Sequence, residues 1–144
     1  MKITPAWKDA EGKGLKDIGW ALEYDGSISF DEAIKIEIGS KCLKVSGSLT
    51  SKLHINASGG IEAGEWIMAG GGIEAGGGIK AGGGIKAGLS IGCKKVIKWS
   101  FDLFAGTAVW KKPTDEECMI EAGELQGGEV KYGIVKLLHK EEKK

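Results

Sequence analysis

The sequence predicts an all-β chain: a single-domain three-sided parallel β-solenoid of about three coils, with β-rich caps and a short C-terminal helix. Three observations carry that prediction. An aliphatic residue stands on every sixth position from Leu43 through Leu49, Ile55, Ile61, Ile67, Ile73, Ile79, Ile85 and Ile91 to Ile97. A small residue follows two places after most of them, then a glycine-rich triplet. Wound at three units per coil, Lys44, Glu62 and Lys80 stack with alternating sign, and only Lys98 on Lys80 breaks the alternation.

A fixed short period is the mark of a solenoid. On an extended strand the Ile and the small residue two places on share one side, and the residue between them points away. The inward pairs are then Ile61/Ala63, Ile67/Ala69, Ile73/Ala75, Ile79/Ala81, Ile85/Ala87 and Ile91/Cys93. Glu62, Met68, Glu74, Lys80, Lys86 and Gly92 face outward. The glycine-rich triplets make corners, where positive φ is expected. Winding at 18 residues per coil stacks Lys44, Glu62, Lys80 and Lys98, whereas 12 per coil stacks Glu62 on Glu74 and Lys86 on Lys98. Stacked strands lie roughly 4.8 Å apart, and like charges directly opposite are unfavourable. Three sides therefore fit better than two.

The flanks read as caps, residues 1–42 before the solenoid of 43–97 and 98–144 after it. Pro5 can open a short helix through Glu11, and Leu15, Ile18 and Leu22 have helical spacing. Trp20 to Phe30 reads as a hairpin in which Tyr24 faces Ile28 and Leu22 faces Phe30. Ile34, Ile36 and Ile38 alternate with charges in a strand that would cover the first coil. Ile97, Trp99, Phe101 and Leu103 alternate in a bulky strand that would cover the last, and Thr107–Trp110 adds another. Thr114 and Glu117 have the spacing of a capping box. The IEAG at Ile120 reads either as the end of that short helix or as one more rung. Val130, Ile134, Leu137 and Leu138 share one face of a helix over 129–140, before the charged tail from His139. The aromatics Trp20, Tyr24, Phe30, Trp99, Phe101 and Trp110 are expected in cap cores.

Composition narrows the partners. Net charge is zero, and all 20 basic residues are Lys. Arg is the side chain that forks onto phosphate and guanine. A neutral chain without Arg is a poor reader of DNA sequence, and it lacks the acidic surplus of a DNA mimic. Three Cys cannot all pair within one chain, and no Cys/His cluster has metal-ligand spacing. The first residues show no apolar signal core, and no stretch is apolar enough to span a bilayer, so a cytoplasmic protein away from membranes is expected.

The units IEAGEW, IMAGGG, IEAGGG, IKAGGG and IKAGLS resemble those of the left-handed parallel β-helix superfamily of hexapeptide repeats. There three units close one triangular coil. The fifth position departs from the family, which places Ser, Thr, Ala or Val where Gly71, Gly77 and Gly83 stand. The resemblance implies architecture over about 55 of 144 residues. It also brings acyltransferases with a His base, for which His54 would be the candidate, and carbonic anhydrases with three His ligands. No external loop interrupts 43–97, and this chain holds only His54 and His139.

Other chemistries fail on spacing. No Walker loop or GxGxxG fingerprint is present, and the glycines recur with the structural period. Paired carboxylates such as Glu116/Glu117 and Glu62/Glu65 read as surface charge. Ice binding would need Thr rows, and Thr50 stands alone. No catalytic residue and no cofactor is expected.

What remains is the surface where the repeat is violated. Trp66 stands in a corner slot and Met68 in a charged slot. Rimmed by Glu62, Glu65 and Glu74, with Lys80 and Lys86 further along the outward rows, they have the composition of a protein-binding anchor. Equally, they would pack under the N-terminal hairpin. The expected function is a non-enzymatic protein-binding solenoid, such as an inhibitor carried by a phage or mobile element against a host defence complex like a CRISPR effector. The alternatives are a self-assembling structural protein or homo-oligomer and, third, an acyltransferase-like enzyme.

Overall fold

The structure is a computed structural model that describes residues 1–108 and 112–137. An aliphatic side chain every six residues gives a three-residue rung, a corner, and the next rung. Three rungs close one turn, because Ile61 pairs with Ile79 and Ile67 with Ile85, each 18 residues on. The predicted three-sided all-β solenoid is therefore the fold, and the inward residues from Ile61 to Cys93 are all buried.

The coil is twice as long as the period alone indicated. The described residues wind into six turns. Turn one carries Leu22, Ile28 and Ile34 on its three faces, and turn two carries Leu43, Leu49 and Ile55. Turn three carries Ile61, Ile67 and Ile73, and turn four Ile79, Ile85 and Ile91. Turn five carries Ile97, Leu103 and Ile120, and turn six Leu125, Val130 and Val135. The apolar side chains form one continuous core from Ile3 to Ala122.

Most of the expected caps are thus solenoid. The Trp20–Phe30 hairpin does not exist: Ala21–Tyr24 and Ile28–Phe30 are successive rungs, each paired in parallel with the turn above. Ile34–Ile36 is the third rung of turn one, not a cover. Val96–Ala105 bends around a corner and serves two faces of turn five. Ile120 is a rung, in Met119–Ala122. The helix expected over 129–140 is replaced by the strands Glu124–Tyr132 and Ile134–Leu137, because these residues find an open parallel edge to pair with. Leu138, His139 and the rest of that stretch lie outside the described residues, as do Val109 and Trp110 of the strand expected at Thr107–Trp110, whose Thr107 and Ala108 form no strand. The capping box is present and reciprocal, with Glu117 N–H to Thr114 Oγ1 at 3.3 Å and Thr114 N–H to Glu117 Oε1 at 3.0 Å. It starts only one 3₁₀ turn, Glu116–Cys118.

Residues 1–19 do form a cap, but without the helices expected over 5–11 and 15–22. The segment is held by turns and by a short strand, Lys16–Asp17, antiparallel to the first rung. Trp7 sets its edge against Tyr24 at 5.5 Å and Phe30 at 6.4 Å. Tyr24 and Phe30 occupy slots that hold Ala further along, so the bulk that would overfill an inner turn instead plugs the end. The Tyr24 hydroxyl donates to Asp9 Oδ2 at 2.7 Å. That bond, followed by backbone N–H groups, holds the Asp9 carboxyl below the ordinary carboxylate range.

The corners correct a second expectation. None of the corner glycines between Gly59 and Gly88 has positive φ. They are glycine because successive turns touch there. A Cβ on Gly64, Gly82 or Gly88 would run into the carbonyl oxygen of Ser46, Gly64 or Gly70 in the turn before. The close approach lets the hydrogen-bond ladder continue through the bend, as in Gly64 N–H to Val45 O and Gly82 N–H to Ala63 O, both 2.9 Å.

Two glycines separate steric need from backbone freedom. Gly88→Ala should lower the thermal midpoint clearly, at a cost of about 1–3 kcal/mol from overpacking. Gly92→Ala, whose Cβ would meet nothing within 4 Å, should be neutral or stabilise by up to about 1 kcal/mol. Paired melting curves check both, and equal losses would refute the contact account.

Candidate functional site

The seven residues singled out from the sequence fall on three faces. Glu62 and Lys80 are neighbours on the first face, in register with Lys44 and Lys98. Met68 and Lys86 are neighbours on the second. Glu65 and Trp66 stand at the corner between those faces, and Glu74 lies alone on the third. The structure brings Glu65, Trp66, Met68 and Lys86 to one edge of the molecule and leaves the other three elsewhere.

Trp66 does not pack under the N-terminal segment. Its ring lies over the Gly83–Gly84 corner of the next turn, where any Cβ would strike the indole. The ring is thereby half-buried and fixed. Its backbone N–H is held by Ser48 Oγ at 3.2 Å. Two turns on from Glu65, the same corner slot holds Phe101, which is 63% exposed. Phe101 is therefore surface and not cap core. The strand Val96–Ala105 turns a corner at Ser100–Asp102, so the inward set is Ile97, Trp99, Leu103 and Ala105. Trp20 is also surface, 56% exposed, with Lys44 Nζ 5.5 Å from its ring. Tyr24 and Trp99 are buried as expected, and Phe30 packs against the core. Trp110 lies outside the described residues.

On the second face the outward row runs Thr50, Met68, Lys86, Phe104, Tyr132. Together with Trp66 and Phe101 it makes an apolar surface on rigid backbone, with Lys86 and Glu65 as its charges. Sequence reasoning reached Trp66, Met68 and Lys86. It missed Phe101, Phe104 and Tyr132, although Leu103 stands six residues after Ile97, which places 101 at a corner and 104 outward.

A cleft of about 760 Å3 lies on the third face beside the 3₁₀ turn, lined in part by His54, Glu74, Gly92, Glu116 and Glu121. His54 Nδ1 accepts the Gly72 N–H at 2.9 Å. A neutral ring there carries its proton on Nε2, and its basic lone pair is engaged by the scaffold. Among the described residues no group of three or more His, Cys, Asp or Glu is arranged to hold a metal ion, and no helix is long and apolar enough to cross a membrane.

No family model matches the chain, and no curated protein or solved structure matches it either.

The cysteines give a check on the described surface. Burial, then the nearby Glu62 carboxylate, pushes the Cys42 thiol up to about 11, and burial raises that of Cys93. At pH 8 the Cys42 thiolate fraction should be about a hundredfold below that of an ordinary thiol. Alkylation of the native protein, read by peptide mass, should spare Cys42 and Cys93, and rapid labelling of either would contradict their packing.

Proposed function

We propose that the chain is a non-enzymatic protein-binding solenoid, and that its second face with the adjoining corner meets the partner. The observation that carries this is Phe101, exposed on the same rigid corner as Trp66 and next to a row holding Met68, Lys86 and Phe104. Aromatic and Met side chains with one or two charges at the rim are the usual composition of an interface centre. Their backbone is already ordered, so binding them loses little further entropy. The zero net charge and the absence of Arg fit a protein partner better than a nucleic acid. The setting we propose is inhibition, by a phage- or mobile-element-borne protein, of a host defence complex such as a CRISPR effector, in the cytoplasm. The six-residue units also support placing the coil among left-handed hexapeptide β-helices. An acyltransferase reading is disfavoured, because the lone pair a His54 base would use accepts a backbone hydrogen bond. A second reading, self-assembly, is favoured by the edge of the last turn, with which no strand pairs among the described residues.

Immobilised protein should capture a defined complex from a bacterial lysate, identified by mass spectrometry. Phe101→Asp and Met68→Lys should each weaken the affinity for that complex, once purified, by about 30-fold. Their melting temperatures should match the parent, and Asn56→Lys on the third face should bind normally. If the Asn56 variant loses binding and the other two keep it, the partner uses another face.

A further inference from the structure

The two ends of the coil differ. At the N-terminal end, Trp7 plugs the core and Lys16–Asp17 covers the first-face edge. At the other end the last turn is bare. Among the described residues no strand pairs with the outer edges of Glu124–Tyr132 or Ile134–Leu137. The core aliphatics of that turn are incompletely covered: Leu125, Val130 and Leu137 are half-buried and Val135 is 43% exposed, while Ile134, in register with Met119, faces outward. An open parallel edge above an unsealed apolar core is a template for another strand.

The sequence of that turn states which strand fits. The aliphatic period shortens here to five, at Leu125, Val130 and Val135, so Val130 is the midpoint of the turn. Reading outward from Val130 in both directions, every opposed pair but Gln126 with Ile134 is complementary. Glu129 is opposed by Lys131, Gly128 by Tyr132, Gly127 by Gly133, Gln126 by Ile134, Leu125 by Val135, and Glu124 by Lys136. Gly127 and Gly133 are both corners with positive φ, at 151° and 128°. Inward residues oppose inward residues, carboxylates oppose ammonium groups, and one aromatic opposes a bare glycine. This is the pattern of a strand edge that pairs antiparallel with itself.

We infer that the open end closes on the open end of a second copy of this chain, about a twofold axis through Val130. In that arrangement the first face of one copy continues into the third face of the other, and the second face continues into itself. Glu124 pairs with Lys136 of the other copy, and Glu129 with its Lys131. Leu125, Val130 and Val135 join the two cores into one. The plugged N-terminal ends point outward, so the assembly stops at two and does not grow into a filament. The side surface around Phe101 stays free, and this inference does not depend on its having a partner.

The test is sedimentation equilibrium of the full chain and of two charge variants, each checked for folding by its melting curve. The parent should be a concentration-dependent dimer. Glu124→Lys sets the introduced ammonium group against Lys136 at two symmetric places, and Lys136→Glu sets the introduced carboxylate against Glu124 at the same two. Each variant should dimerise about tenfold more weakly. An equimolar mixture should associate more tightly than either variant alone. In the mixed dimer one of the two places sets ammonium against carboxylate with the variant residues in both positions, and the other restores the parental Glu124–Lys136 pair. A parent that stays monomeric at all concentrations would overturn the inference and leave the edge to a foreign strand or the chain's own C-terminal residues. So would filaments, or a mixture no tighter than its components.

Discussion

Everything in this molecule depends on turns stacking in register at the spacing of paired strands, roughly 4.8 Å. That spacing is set by the backbone hydrogen bonds and is the same at a corner as along a rung. A rung tolerates a large inward Ile, because the core runs along the axis and each Ile meets the Ile above it. A corner tolerates far less, because carbonyl oxygens of one turn approach the Cα atoms of the next. The glycine content follows from this contact and not from backbone freedom, since the repeat's corner glycines keep ordinary negative φ. Positive-φ glycines occur elsewhere: Gly12 and Gly19 in the cap, Gly26 at the first corner of turn one, and Gly39, Gly106, Gly127 and Gly133 where the six-residue period is broken.

The same constraint explains why one half of the solenoid was legible and the other was not. From Leu43 to Ile97 no residue is inserted or lost, and the period can be counted. Leu22, Ile28 and Ile34 keep the same period, but nine residues separate Ile34 from Leu43, which shifts the phase. The structure absorbs the extra residues around Gly39–Lys41 outside the coil, and the pairing resumes at Leu22 with Leu43. After Leu103 the next rung slot is Ile120, and the described residues 106–108 and 112–118 between them belong to no rung and include one 3₁₀ turn. The remaining rungs are spaced by five. Insertions at corners cost little, because the corner is at the surface and loop closure grows only slowly with length. A reader counting sixes loses the register there, although the strands do not. Local signals then mislead: Asp25-Gly26 looks like a hairpin turn, and Val130, Ile134 and Leu137 look like a helix face. An available parallel edge overrides both.

Trp66 shows how a corner can carry a bulky side chain. The turn after it offers Gly83 and Gly84, and the indole lies on that bare backbone. His54 repeats the arrangement over Gly71 and Gly72, with its Nδ1 accepting the Gly72 N–H. Each bulky corner residue is thus matched 17 and 18 residues later by a glycine pair. That coupling was present in the sequence as a run of glycines one coil after each exception. It was not readable as such, because the same triplets also serve the backbone contact. Phe101, the next large residue at the Trp66 corner, also has glycines in the following turn, Gly127 and Gly128, but these approach the backbone of Trp99, Ser100 and Phe101, and the Phe101 ring does not lie over them. It stays out in solvent, which is why the candidate surface extends past the residues the repeat pattern singled out.

An unfinished solenoid must either fill its end or share it. The N-terminal end is filled from within: Tyr24 and Phe30 replace the small inward residues of inner turns, and Trp7 closes over them. The last turn takes the opposite course. Two of its inward residues shrink to Val, at Val130 over Leu103 and Val135 over Ile120, its corners are glycine, and its charges are arranged about Val130 with opposite sign on either side. Some of these features also serve the turn beneath: Lys136 pairs with Glu121 at 3.6 Å, and a Cβ on Gly127 or Gly128 would strike the carbonyl of Trp99 or Phe101. Their arrangement about Val130 gives them a second role against a surface that is the same turn reversed. The edge left open among the described residues is thus complementary to itself, and dimer closure would seal the core without any dedicated cap.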